Sequence, residues 1–139
     1  MSLVSVRQYF RDRMDSLSYS EWTDGFNFVN IPSTILNRSY HLEVGTISSN
    51  AANQHVHEFS YPITLRLFLK GYRDPSAAID DSIVEIESIY SNVLSPTNRY
   101  SISIKDVVPN SVSVIPLDAS NDNSIIVQFE FDTKIVMKF

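Results

Sequence analysis

The chain contains no cysteine. That excludes disulfides, thiolate catalysis and cysteine-ligated zinc together, and it fits a reducing compartment. Glycine is almost as scarce. Gly25, Gly45 and Gly71 stand alone, so no phosphate-cradling loop can be built. No Gly-x-Ser-x-Gly elbow presents a nucleophilic serine either. The sequence therefore predicts no cofactor and no catalytic residue. Positive charge is sparse: 11 Lys and Arg against 16 Asp and Glu leave a net charge of −5. Binding to duplex nucleic acid needs clustered Lys and Arg to neutralise phosphates, so DNA or RNA is not the expected main ligand. Arg7, Arg11 and Arg13 are the one close group, and they read as the solvated side of a helix. No apolar run approaches the ~20 residues that span a bilayer. Leu3, Val4 and Val6 are too few for the apolar region of a signal peptide. Asn37-Arg38-Ser39 matches a glycosylation sequon, read as chance in a chain with no secretory signal. No membrane partner is expected.

What is present is alternation. Tyr40, Leu42 and Val44 alternate with Ser39, His41 and Glu43. Phe59, Tyr61, Ile63, Leu65, Leu67 and Leu69 alternate with Ser60, Pro62, Thr64, Arg66, Phe68 and Lys70. A period of two places one side of each strand in a core and the other in water. Between these strands lies the polar stretch Gly45 to His57, which has little to bury. Loops of that length inside a domain are uncommon and usually functional. At ~3.3 Å per residue the strand from Glu58 to Lys70 spans roughly 43 Å, enough for a hairpin arm that projects beyond its own core.

Two helices are expected. Leu3, Val6, Phe10, Met14 and Leu17 form a stripe at steps of three and four, predicting a helix from Ser2 or Leu3 to Leu17. The second opens at Asp74, a capping residue, with Pro75 in the first turn. Its predicted buried stripe is Ile79, Ile83, Ile86, Tyr90 and Val93, with Asp81, Glu85 and Glu87 as a solvated flank, and Ser95-Pro96 ends it. A short strand is expected over Phe26 to Asn30. Two more are expected over Tyr100 to Val107 and Ser111 to Leu117, reversing at Pro109-Asn110, with Val112 and Val114 inward. After a turn at Asp118 to Asn123, a last strand places Ile125, Val127, Phe129, Phe131, Ile135, Met137 and Phe139 on one side. Thr133 on that side, with Ile126 and Val136 on the other, predicts a bulge or bend. The 139 residues are expected to form one domain of α+β class. In it, two main helices pack on one side of a largely antiparallel or mixed sheet that carries a long hairpin arm.

One pattern admits chemistry. On a strand, His55 and His57 point the same way, as two ligands of one zinc ion must, and His41 across the hairpin could be a third. That would make a small metal-dependent hydrolase. No general base stands beside them, so a structural or interfacial role is the stronger reading. Outer-side Phe68, Ile126 and Val136 call for cover, either from the second helix or from a neighbouring subunit.

The run from Ile31 to Val44, the polar loop, the strand Phe59 to Lys70 and the helix after Asp74-Pro75 resemble the tail terminator proteins of long-tailed bacteriophages. These are also called minor tail or tail-to-head joining proteins. The likeness is one of element order and size over nearly the whole chain. It implies a non-enzymatic, hexameric ring in the virion, at the head-proximal end of the tail, assembled in the host cytoplasm. Such a ring caps the tail tube, stops its polymerisation and offers a surface to the head-neck connector. The partners implied are other copies of the chain, the tube protein and the neck protein. Through a ring of such acidic chains DNA passes without sticking. Asn50, Asn53, Gln54, His55 and His57 of the polar loop, with Arg66 and Phe68, are the expected contact residues. A head-side connector or neck completion protein is the neighbouring reading.

Overall fold

The structure, a computed structural model, describes residues 4–22, 37–51, 55–70, 74–96, 98, 104–116 and 124–138. In chain order the elements are α1 (Val4–Ser16), β1 (Ser20–Glu21), β2 (Ser39–Val44), β3 (Ser48–Ala51), β4 (Val56–Leu69), α2 (Pro75–Val93), β5 (Ile104–Pro116) and β6 (Ile125–Lys138). The strands form one sheet in the order β1-β2-β4-β6-β5, with β3 also paired to β4. Only β1 and β2 run parallel; the other pairs are antiparallel. This is an α+β fold. Both helices contribute to a single core on one side of the sheet, called the inner face below.

The α1 stripe folds as its spacing dictates, with Val6, Phe10 and Met14 buried and Leu17 packed against the core. The neighbouring arginines are half-buried rather than fully solvated, because each has protein beside it. Arg11 pairs with Glu21 at 2.8 Å, and the Arg13 guanidinium lies 5.8 Å from the centre of the Tyr9 ring. Tyr9 donates its hydroxyl to the Val93 carbonyl, satisfying one orphan acceptor at the end of α2 and tying the helices together.

α2 begins as expected: the Asp74 carboxylate accepts from the Ala77 amide at 2.7 Å, with Pro75 in the first turn. Of the expected stripe, Val93 is buried and Ile86 and Tyr90 pack against the core, but the first half of the helix departs from it. Ala78, Ser82, Ile89 and Val93 face the core, whereas Ile79 and Ile83 are 40% and 47% exposed. Small Ala78 and Ser82 let the helix lie close to the sheet, and the Ser82 hydroxyl is satisfied by the Ile79 carbonyl at 2.6 Å. The expected flank also needs amendment. Glu85 accepts from Arg38 at 2.9 Å and from the Tyr19 hydroxyl, while Arg38 also donates to the Leu17 carbonyl and stacks over the Tyr19 ring at 4.2 Å. This network joins the end of α1, the start of β2 and the middle of α2.

β4 is a central strand and not a free arm. It pairs with β6 over its whole length, from Val56↔Lys138 to Leu69↔Ile125, and with β2 and β3 on its other edge. The polar stretch after Gly45 thus contains a strand of its own, β3. Pro62 explains the break between β2 and β3. In an antiparallel pair a residue's N–H and C=O point to the same side, and the Pro62 carbonyl accepts from the Gly45 amide at 3.0 Å. Pro62 therefore has no donor to offer that neighbour, and pairing lapses between Val44↔Ile63 and Ser48↔Ser60. Gly45 suits the crossing, because a Cβ there would lie 3.0 Å from the proline ring.

β5 is one strand where two were expected. Pro109-Asn110 does not reverse the chain: Pro109 stands opposite Phe131 and Ser111 opposite Glu130, so Asn110 is an extra, bulged residue. A second irregularity falls between Ile104 and Asp106. β6, where a bulge was expected, holds register with β4 throughout. Thr133 is simply buried on the inner face between Tyr61 and Val107. Val112 and Val114 pack against the core as expected. The expected strand over Phe26 to Asn30, Ile102 and the turn at Asp118 to Asn123 lie outside the described residues.

Candidate interaction surfaces

The outer face of the sheet is a field of paired charges. Arg66 forms an ion pair with Glu43 and donates to the Gln128 side chain at 3.0 Å. Along β6, Lys134 meets Asp132 at 2.8 Å, and Ser60 donates to Asp132 at 2.6 Å. On β5, Lys105 holds Glu58 at 2.8 Å. The hydrogen bond from Arg66, together with its charge, keeps the Glu43 carboxyl below its ordinary value. Burial pushes the Asp132 carboxyl up, but the hydrogen bonds from Lys134 and Ser60 outweigh it and the net shift is downward. These groups hold one another in their charged forms. On the inner side, burial first and then the charge of Glu21 push the Tyr40 hydroxyl strongly upward, so it stays neutral.

Two small apolar groupings complete this face. Phe68 and Ile126 form a second cluster with Trp22 and Ile115 packed against them. Phe68 is only 5% exposed. Its cover comes from its own chain and not from α2, so it has little to give a neighbouring subunit. Val136, at the other end of β6, is 41% exposed.

The expected contact residues scatter along β3 and β4. Asn50 and His55 are exposed near the tip of the β3–β4 hairpin, and half-buried His57 stacks on Phe59 with ring centres 6.3 Å apart. Asn53 and Gln54 lie outside the described residues. Arg66 is far along β4, engaged with Glu43. The histidines do not converge. His41 stands opposite Arg66, nine residues along β4 from His57, or roughly 30 Å at ~3.3 Å per residue; its Nδ1 lies 3.1 Å from the Trp22 carbonyl. Among the described residues no three His, Asp or Glu side chains are grouped to hold a metal ion. No described helix is long and apolar enough to cross a membrane.

The surface that sequence reasoning missed is on α2. Ile79, Ile83 and Val84, the last 59% exposed, lie among exposed Asp80, Asp81 and Glu87. The signal was available: the apolar positions of α2 cover a wider arc than one buried side of a helix requires. Comparison with protein-family models and with curated proteins finds no match.

Proposed function

We propose that this chain is a structural assembly protein: a capping ring at the head-proximal end of a long bacteriophage tail, which stops tube polymerisation and receives the neck. One observation carries the reading beyond the resemblance in element order. A ring built from identical chains needs two unlike surfaces on each copy, because every copy meets one neighbour with each. The chain offers two such surfaces: the apolar stripe of α2 and the thinly covered end of the sheet around β3 and Val136. The charges of the outer face are engaged with one another, which suits a surface that works by shape. The reading is non-enzymatic, with tube and neck proteins as partners and the virion as location.

The test is tube length. Added to its own tube subunit, the protein should yield tubes of limited length bearing a density at one end in electron micrographs. Unrestricted growth at stoichiometric excess would refute the proposal. Pull-downs against the tube subunit and the portal-side protein separately distinguish it from a head-side connector.

A further inference from the structure

His57 and Met137 stand directly opposite each other in the ladder between β4 and β6. Both belong to the inner face. His57 stacks on Phe59, which packs against the core, and Met137 follows buried Ile135 by two residues in unbroken register. Directly opposed side chains of an antiparallel pair have their Cβ atoms about 4.5–5.5 Å apart, a gap that one ion spans with a nitrogen on one side and a sulfur on the other. Both residues are half-buried, so the pair is open to solvent and backed by the core. The Phe59 ring lies 29° from the plane of the imidazole and steadies it. The methionine side chain, unbranched with three rotatable bonds, adapts its sulfur to that fixed ring.

The donor pair decides the metal. A thioether is a soft ligand that selects copper(I), and imidazole suits copper as well. Zinc takes thiolate, imidazole or carboxylate donors, and the chain has no cysteine. The adjacent carboxylate, Glu58, is one residue along the strand and therefore on the outer face, where Lys105 holds it at 2.8 Å. The next inner-face residues along the two strands, Phe59, Tyr61, Thr133 and Ile135, add no charged donor. We propose that His57 and Met137 form a binding site for copper(I), or for silver(I) of the same soft class, through one imidazole nitrogen and the thioether sulfur. A soft closed-shell ion is content with two such ligands, so the pair suffices where zinc would need more. The second donor comes from across the ladder and not from His41, which stands far along the sheet. The assignment is independent of the capping reading.

The experiment is a titration of the full chain with copper(I), kept reduced by ascorbate under nitrogen, against a coloured copper(I) chelator. Met137→Leu conserves volume and leaves every histidine in place, so it separates this site from surface imidazoles. It should weaken binding at least about tenfold, the scale seen even for the outer partners of metal ligands. His57→Phe should do the same, and His41→Ala should bind as the parent chain does. Circular dichroism melting verifies that each variant is folded. A spectroscopic arm reads the site directly: on adding silver(I), the ε-methyl signal of Met137 should shift while that of buried Met14 stays. Undiminished binding by Met137→Leu would mean an adventitious ion on exposed histidines only and would overturn the site. An unmoved Met137 methyl, an equal loss in His41→Ala, or zinc displacing copper(I) at equal concentration would overturn it too.

Discussion

Where β4 and β6 pass beneath the helices, Ile63, Leu65, Leu67, Val127, Phe129 and Phe131 are all sealed from water. Further along the same two strands, with the ladder unbroken, His57, Phe59 and Met137 are only half-buried on the same face, and Val136 is exposed on the other. Backbone pairing is equal at the two ends, so the difference lies in side-chain burial. Each fully buried apolar side chain contributes about 1.5–3 kcal/mol relative to an exposed one, and a half-buried one contributes about half of that. The helix-covered end should therefore set global stability, while the far end is held by its ladder and its ion pairs and is available for contact.

The sharpest way to break this contrast is Phe129→Ala. That ring stacks on Phe131 at 5.7 Å and meets Tyr90 edge-on, so its loss should cost about 3–5 kcal/mol in urea unfolding. Phe59→Ala, on the same face of the far end, should cost about half as much or less. Equal losses would show that the two ends are one uniformly packed unit. Asp74→Ala removes the cap of α2 and should cost about 1 kcal/mol in the same measurement. A double-mutant cycle on Arg38 and Glu85, partly exposed, should give a coupling of about 0.5–1 kcal/mol.

The smallest effect is in acid. The Glu43 and Asp132 carboxyls are held below their ordinary values of 4.5 and 3.8. Their contribution is thus fully present above those values and is lost as pH falls through the lower, folded-state ones. Glu43→Gln should lower stability near neutrality by a small amount and remove that same amount from the loss below about pH 4, so that the two proteins' stabilities converge in acid.

Much of the fold is legible because burial has a period. Tyr40 and Leu42, the alternation from Phe59 to Leu69, and the steps from Val6 to Met14 each follow from one buried face. Asp74 and Pro75 mark their helix by satisfying, or lacking, amide donors. The rest depends on partners distant in sequence. β1 and β3 are short and polar, and they become strands only because β2 and β4 offer them an edge. Pro109-Asn110 has the composition of a reversal, and only the register with β6 shows it to be a bulge. Ile79 and Ile83 match a buried stripe, but the helix rolls onto Ala78 and Ser82, where it can approach the sheet more closely. Of the expected contact residues, the exposure of Asn50 and His55 follows from their polar surroundings. The burial of Phe68 does not, since its cover, Trp22 and Ile115, comes from remote segments.

The surplus residue at Asn110 has a consequence for growth. β5 is the long outermost strand of the sheet, and its free margin carries Pro109, Pro116 and two irregularities of register. A strand from another molecule finds no continuous run of donors and acceptors there to zip against, so open-ended strand addition is blocked along that border.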